Sequence, residues 1–195
     1  MTSKDSRSLP LTLLRVANAF RLTGWIGFWL QLVLAVVAAL TLLFSVLFAN
    51  PNRNPSTNAS NPGTGVGVLL AACGLVVLFV SVYWAFRYTR LANQLKAPSA
   101  SARPKKAETL KALRMGLMVN LVGMLLSLLG AESIAGVLLA RASQSQGALY
   151  APGGITSLIQ PLDISVVLAN THIILAHFAG LATSLWLLNV VNRPS

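Results

Sequence analysis

The chain is 195 residues long, 55% hydrophobic and only 10% charged, with fifteen Lys and Arg against four Asp and Glu and a formal net charge of +11. A water-soluble domain carries about a quarter charged residues, so much of this surface must face something other than water. The single cysteine, Cys73, excludes an internal disulfide and any cysteine-cluster metal site.

The N-terminal segment shows no small-x-small cleavage site before the first apolar run, which is too long for a signal-peptide core, and it lacks the composition of an organelle transit peptide. It is therefore expected to be retained. Over Leu11–Arg21, Leu13, Val16, Ala17 and Phe20 recur at helical spacing with Arg15, Asn18 and Arg21 opposite. That pattern predicts a short amphipathic helix lying on the membrane surface before the chain turns inward at Gly24.

A helix needs about 20 mostly apolar residues to cross the hydrocarbon. Four stretches qualify: 24–48, 66–86, 116–139 and 164–188, none with Lys or Arg in its interior. Span one is apolar on every side from Leu32 to Leu40, so the alternation of a barrel strand is absent and a helical bundle follows. Gln31 is its candidate for a cross-helix hydrogen bond. Asn50–Gly65 is a Pro-, Asn-, Gly- and Ser-rich loop, in which Asn58-Ala59-Ser60 matches a glycosylation triplet that matters only in a secretory compartment. Span two carries Cys73. The segment 87–115 is a basic loop with eight Lys and Arg, and its part after Pro104 reads as a helix leading into span three beside anionic headgroups.

Span three places Gly116, Asn120, Gly123, Ser127 and Gly130 at alternating spacings of four and three, a small-residue seam for close helix packing. Glu132 lies off that seam, on a face with Leu125, Leu128 and Gly136 that should meet another helix, a second subunit or a water-lined cavity. Ser143–Asp163 forms the second outer loop, with Asp163 as a plausible N-cap for span four. On span four, Asn170, His177 and Ser184 recur every seven residues as a polar stripe, and His172, Ala176, Ala179 and Thr183 make a second, small-residue stripe. Two inward faces imply that span four is central to the bundle.

Thirteen of the fifteen basic residues fall in the N-terminal segment, the loop between spans two and three, and the C-terminal tail; only Arg53 and Arg141 fall on the other side. Basic loops stay on the cytoplasmic side, which predicts both termini and the basic loop inside. All four tryptophans, Trp25, Trp29, Trp84 and Trp186, sit at that same end of their spans, at the headgroup level that Trp favours. In a soluble protein +11 would suggest nucleic acid; here the charge orients a membrane protein, and the partner is the lipid bilayer.

Burying an ionisable side chain within a span is costly, so each is a functional candidate. Three qualify: Glu132, roughly 12 Å from the outer end of span three at about 1.5 Å per residue, His172 at a similar depth in span four, and His177 deeper. Carboxylate and imidazole together suit iron, manganese or zinc, and stepped depths suit a proton relay. Against this, His172 and His177 are about 140° apart around a helix and cannot both ligate one ion, and each could sit neutral and hydrogen-bonded to a neighbour. Met115, Met118 and Met124 read as packing.

The run Phe20-Arg21-Leu22-Thr23-Gly24-Trp25 continuing to Gln31-Leu32, Asn120-Leu121-Val122-Gly123 with Leu129-Gly130-Ala131-Glu132, and His177-Phe178 with Ser184-Leu185-Trp186-Leu187-Leu188 resemble the chloroplast inner-envelope family called "permease in chloroplasts", also described as a translocon subunit, and its cyanobacterial relatives. The resemblance covers most of the chain. It implies four spans and one of two roles, iron permeation or a part in protein import.

The expectation is thus an all-α, four-span membrane domain over 1–195 in a bacterial plasma or thylakoid membrane, oligomeric or with a partner membrane protein. Its expected role is to pass a metal ion, iron first, by way of Glu132, His172 and His177. The alternative is a scaffold in a translocon or membrane complex, held by packing at Gly116, Gly123, Ser127 and Gly130. No phosphate-binding loop or nucleophile with an oriented base is present, so no enzyme is expected and no resident cofactor.

Overall fold

The computed structural model describes residues 11–47, 62–97, 99, 101, 103–144 and 161–192. They form four helices, α1 (Leu11–Leu47), α2 (Pro62–Leu95), α3 (Lys106–Gln144) and α4 (Pro161–Asn192), and no strand. All four are long and apolar enough to span a membrane.

The burial pattern identifies the solvent these helices prefer. On α1 the inward residues are Ala17, Phe20, Gly24, Gly27, Gln31, Ala35, Ala38, Leu42 and Ser45, at spacings of three and four. The outward ones include Leu22, Ile26, Leu30, Val33, Leu40 and Phe44. Apart from Phe20 and Leu42, small and polar side chains face in while large apolar ones face out, the reverse of a soluble bundle and the arrangement lipid favours. The spacing is that of left-handed packing at shallow crossing angles.

Each helix packs on its two neighbours in chain order, and α1 closes the ring against α4. Three layers stack along the axis. At the basic end, Phe20, Tyr88, Leu91, Leu113 and Leu187 form one apolar cluster. At the far end, Ala38, Leu42, Leu78, Ala169 and Ile173 form another. These registers make the helices alternate in direction, up-down-up-down. Between the clusters lies a layer of buried polar residues.

Three expectations need revision. The N-terminal amphipathic segment is no separate surface helix, because α1 runs unbroken from Leu11 to Leu47. The apolar face of Ala17 and Phe20 is covered by Tyr88, Leu113 and Leu187 of the other helices, so it needs no membrane surface to bury it. Gly24 serves close approach rather than a turn: a Cβ there would lie 3.1 Å from Thr89 Cγ2. The basic segment 87–115 is mostly helical, since α2 continues to Leu95 and α3 begins at Lys106. At 37 residues and about 1.5 Å each, α1 is far longer than the roughly 30 Å hydrocarbon, and the helices continue into the polar region beyond it. Within the short connection Arg103 Nε donates to Ala97 O at 2.9 Å. The Lys105 N–H reaches the Glu108 carboxylate at 3.4 Å, a capping contact for α3. Asp163 is not the N-cap of α4 but lies in its first turn, where a carboxylate still favours the helix dipole. The expected outer loops Asn50–Gly65 and Ser143–Asp163 are trimmed at their ends, since α2 begins at Pro62, α3 runs to Gln144 and α4 begins at Pro161; their remainders, 50–61 with the glycosylation triplet and 145–160, lie outside the described residues.

Candidate functional site

The polar layer draws one side chain from each helix: Gln31 from α1, Ser81 from α2, Asn120 from α3 and His177 from α4, all buried. Asn120 is the hub. Its Nδ2 donates to Gly116 O at 2.9 Å, and because a carbonyl only accepts, this turns Oδ1 toward the other three. Ser81 Oγ donates to Asn120 Oδ1 at 2.7 Å and Gln31 Nε2 donates to it at 3.0 Å. Gln31 Nε2 also reaches Ser81 Oγ at 2.8 Å and Ala176 O at 3.1 Å. Two amide hydrogens are thus shared among three acceptors.

His177 completes the layer in an unusual way. Its Nε2 lies 3.2 Å from Gly74 O and its Nδ1 lies 3.2 Å from Asn120 Oδ1. Both partners are oxygens that accept. A neutral imidazole donates from one nitrogen only, so one contact sets lone pair against lone pair. Both become hydrogen bonds when the ring carries two protons. The ring fits because Gly123 faces it, where a Cβ would overlap the imidazole; Gly180 makes room for the rest of the layer, since a Cβ there would overlap Gln31 Nε2 and Asn120 Oδ1.

Two further polar steps lie on the same stripe of α4. Seven residues toward the far end, Asn170 Nδ2 donates to Ser127 O at 2.9 Å, while Asn170 Oδ1 is a buried acceptor without a partner among the described residues. Seven residues toward the basic end, Ser184 Oγ lies 3.2 Å from Tyr88 Oη. At about 1.5 Å per residue the three steps are roughly 10 Å apart.

The three ionisable residues singled out from the sequence are not gathered. Glu132 is exposed on the outside of the bundle, sharing its face with Leu125 and Leu128, which are also exposed, and with Gly136, whose Cβ position is open. His172 is half-buried and its Nδ1 lies 2.7 Å from Leu168 O of its own helix. Only His177 enters the polar layer. No group of three His, Cys, Asp or Glu that could hold a metal ion occurs among the described residues. The seam residues of α3 face neighbours: Gly116 toward Tyr88, Gly123 toward His177, Ser127 toward Gly74, and Gly130 toward Gly67, whose carbonyl oxygen would lie 3.0 Å from a Cβ on Gly130. Sequence reasoning marked Gln31 and the Asn170–His177–Ser184 stripe. It missed Ser81, Gly74 and Gly180, and it read Asn120 as a packing residue. The available signal was polarity: Ser81 and Asn120 are isolated polar residues in apolar runs.

The family described as "Protein of unknown function (DUF3611)" matches residues 10–192, and the chain belongs to that family. It is 36% identical over 187 residues to "Protein TIC 21, chloroplastic" of Arabidopsis thaliana, an alignment that covers 93% of this chain and 59% of the relative. The chain thus spans about three fifths of the length of the curated relative it matches. The match agrees with the chloroplast-envelope resemblance seen in the sequence. No solved structure matches at a significant level.

Proposed function

We propose that this member of the family is a permease subunit that passes a divalent metal ion, ferrous iron first, along the axis marked by Asn170, His177 and Ser184. The observation that carries this reading is the polar layer around His177. A bilayer penalises buried polar groups, and those retained within spans concentrate on substrate and proton pathways. Here they occupy the bundle axis in three steps, drawn from all four helices: the His177 layer between the two apolar clusters, and Ser184 and Asn170 at the level of one cluster each.

His177 acts as the proton-responsive element of the layer. With two ring protons it bonds α2 through Gly74 O and α3 through Asn120 Oδ1; with one, only one of those two contacts remains a hydrogen bond. The orphaned Asn170 Oδ1 is an acceptor for a cation or its water shell on the far side. Glu132 and His172 lie off this axis, at the depth of its outer half; Glu132 meets a second copy or a partner membrane protein there, since a carboxyl group does not face lipid readily. Both termini and the basic ends of the helices lie on the cytoplasmic side of a bacterial plasma or thylakoid membrane.

Uptake of ferrous iron into proteoliposomes holding wild type, His177→Gln or Glu132→Gln tests the reading. Flux in wild type that falls about tenfold or more in His177→Gln supports it. Absence of flux from folded wild type contradicts it. One observation favours a scaffold in a translocon or membrane complex instead: no three-ligand metal group forms among the described residues, while Glu132 faces outward. That reading expects no flux, with partner loss when Glu132 or Gly136 is altered.

A further inference from the structure

The basic end of the bundle carries a groove that the axial route does not use. Between α2 and α3 lies a cavity of about 420 Å³ whose lining includes Tyr83, Phe86, Arg87, Arg90, Gln94 and Glu108. Along α2 this lining is graded, with aromatic rings toward the apolar core of the helix, two guanidinium groups one turn further, and an amide beyond. Both guanidinium groups are held by rings: Arg87 Cζ lies 4.7 Å from the Trp84 ring centroid and Arg90 Cζ lies 5.2 Å from that of Phe86. Such stacking orders the planar fork and limits the freedom lost on binding an oxyanion. The one carboxylate in the groove, Glu108, is occupied with the Lys105 N–H at 3.4 Å, so two positive charges face one negative.

A second observation says what kind of oxyanion fits. From Tyr83 a strip of exposed apolar side chains continues along α2 through Val80 and Val76, at helical spacings of three and four. A soluble phosphate has no use for such a strip, whereas a lipid acyl chain lies along it naturally. We propose that the groove binds an anionic phospholipid. Arg87 and Arg90 fork onto its phosphate oxygens, Tyr83 and Phe86 sit at the glycerol level, and an acyl chain lies over Tyr83, Val80 and Val76. The amphipathic groove thereby fixes the height of α2 and α3 in the bilayer through one bound molecule, over and above the diffuse attraction of a basic surface to anionic lipid.

The test is retention of fluorescent dioleoyl phosphatidylglycerol, against dioleoyl phosphatidylcholine, by the purified full chain in detergent micelles. Hydrogen bonds to charged groups are worth enough that losing two lowers affinity about tenfold or more. The expected result is preferential retention of phosphatidylglycerol, lost about tenfold in Arg87→Gln/Arg90→Gln. It should be partly kept in Arg87→Lys/Arg90→Lys, which holds charge without the fork, and unchanged in Arg15→Gln/Arg21→Gln, an equal loss of exposed charge on α1. All these side chains are exposed, so helicity and melting should be unaltered, which circular dichroism checks. Equal losses in the α1 and α2 variants would overturn the proposal in favour of bulk charge. If millimolar inorganic phosphate displaces the lipid fully and Val80→Gln has no effect, the source is soluble phosphate and the lipid assignment falls.

Discussion

Replacing Asn120 by Ala should destabilise the bundle clearly more than replacing Ser127 by Ala. Asn120 donates to Gly116 O and accepts from Ser81 and Gln31, so the change removes three hydrogen bonds at once, besides the contact of its Oδ1 with His177 Nδ1. Within membranes such bonds average about 0.6 kcal/mol and reach about 1.7, which gives about 2 kcal/mol at the average and more if Ser81 and Gln31 find no new partner. The control is Ser127→Ala, which loses one bond, to Gly123 O of its own helix at 2.9 Å, and should cost about 0.6 kcal/mol. Equilibrium unfolding in mixed micelles, followed by tryptophan fluorescence or circular dichroism, measures both. A double-mutant cycle between Gln31→Ala and Asn120→Ala should return a coupling of about 0.6–1.7 kcal/mol. If the two truncations agree within about 0.5 kcal/mol, or the coupling is indistinguishable from zero, the polar layer does not tie the helices together and the reasoning fails.

Three other outcomes are expected. Gly180→Leu should destabilise by about 1–3 kcal/mol through overpacking, because even a Cβ there overlaps Gln31 and Asn120; Gly136→Ala, whose Cβ meets nothing, should be neutral or stabilise by up to about 1 kcal/mol through helix propensity; thermal melting of the pair separates them. Glu132→Gln should leave the unfolding of the isolated subunit within about 0.5 kcal/mol of wild type, since the side chain is exposed, while changing self-association or partner capture measured by cross-linking. Phe20→Ala should cost about 3–5 kcal/mol, because the ring is fully buried edge-to-face against Tyr88 at 6.5 Å; an effect under about 1 kcal/mol in the same unfolding assay would return the N-terminal segment to the membrane surface.

Most of the fold was legible because a bilayer narrows the choices. Apolar length alone identified four helices, and the heptad recurrence of Asn170, His177 and Ser184 identified the inward face of α4. Helix ends were not legible: hydropathy stops where the hydrocarbon stops, whereas α2 continues through Arg87 and Arg90 to Leu95 on backbone hydrogen bonds that polar surroundings do not forbid. The same limit made Leu11–Arg21 read as a surface helix, since amphipathicity tells that a face is covered and not what covers it. At the site, charge drew attention to Glu132, yet the layer is built from carboxamides, a hydroxyl and one imidazole. Gly74, Gly123 and Gly180 matter only through which side chain approaches them, and that pairing between helices is absent from any single helix.

The central claim is that Asn170, His177 and Ser184 mark a route and not merely a set of satisfied bonds. Cysteine accessibility tests this most directly, in a Cys73→Ala background because Cys73 is exposed. Cysteines placed singly at Asn170, His177 and Ser184 are challenged with a membrane-impermeant, water-soluble thiol reagent in proteoliposomes, with Val33, exposed on the outer surface of α1, as the lipid-facing control. A route requires modification at all three axial positions, slowed by ferrous iron, and none at Val33. Axial cysteines as inert as the one at Val33, in a protein that still folds and assembles, would contradict it and leave the polar layer a structural lock.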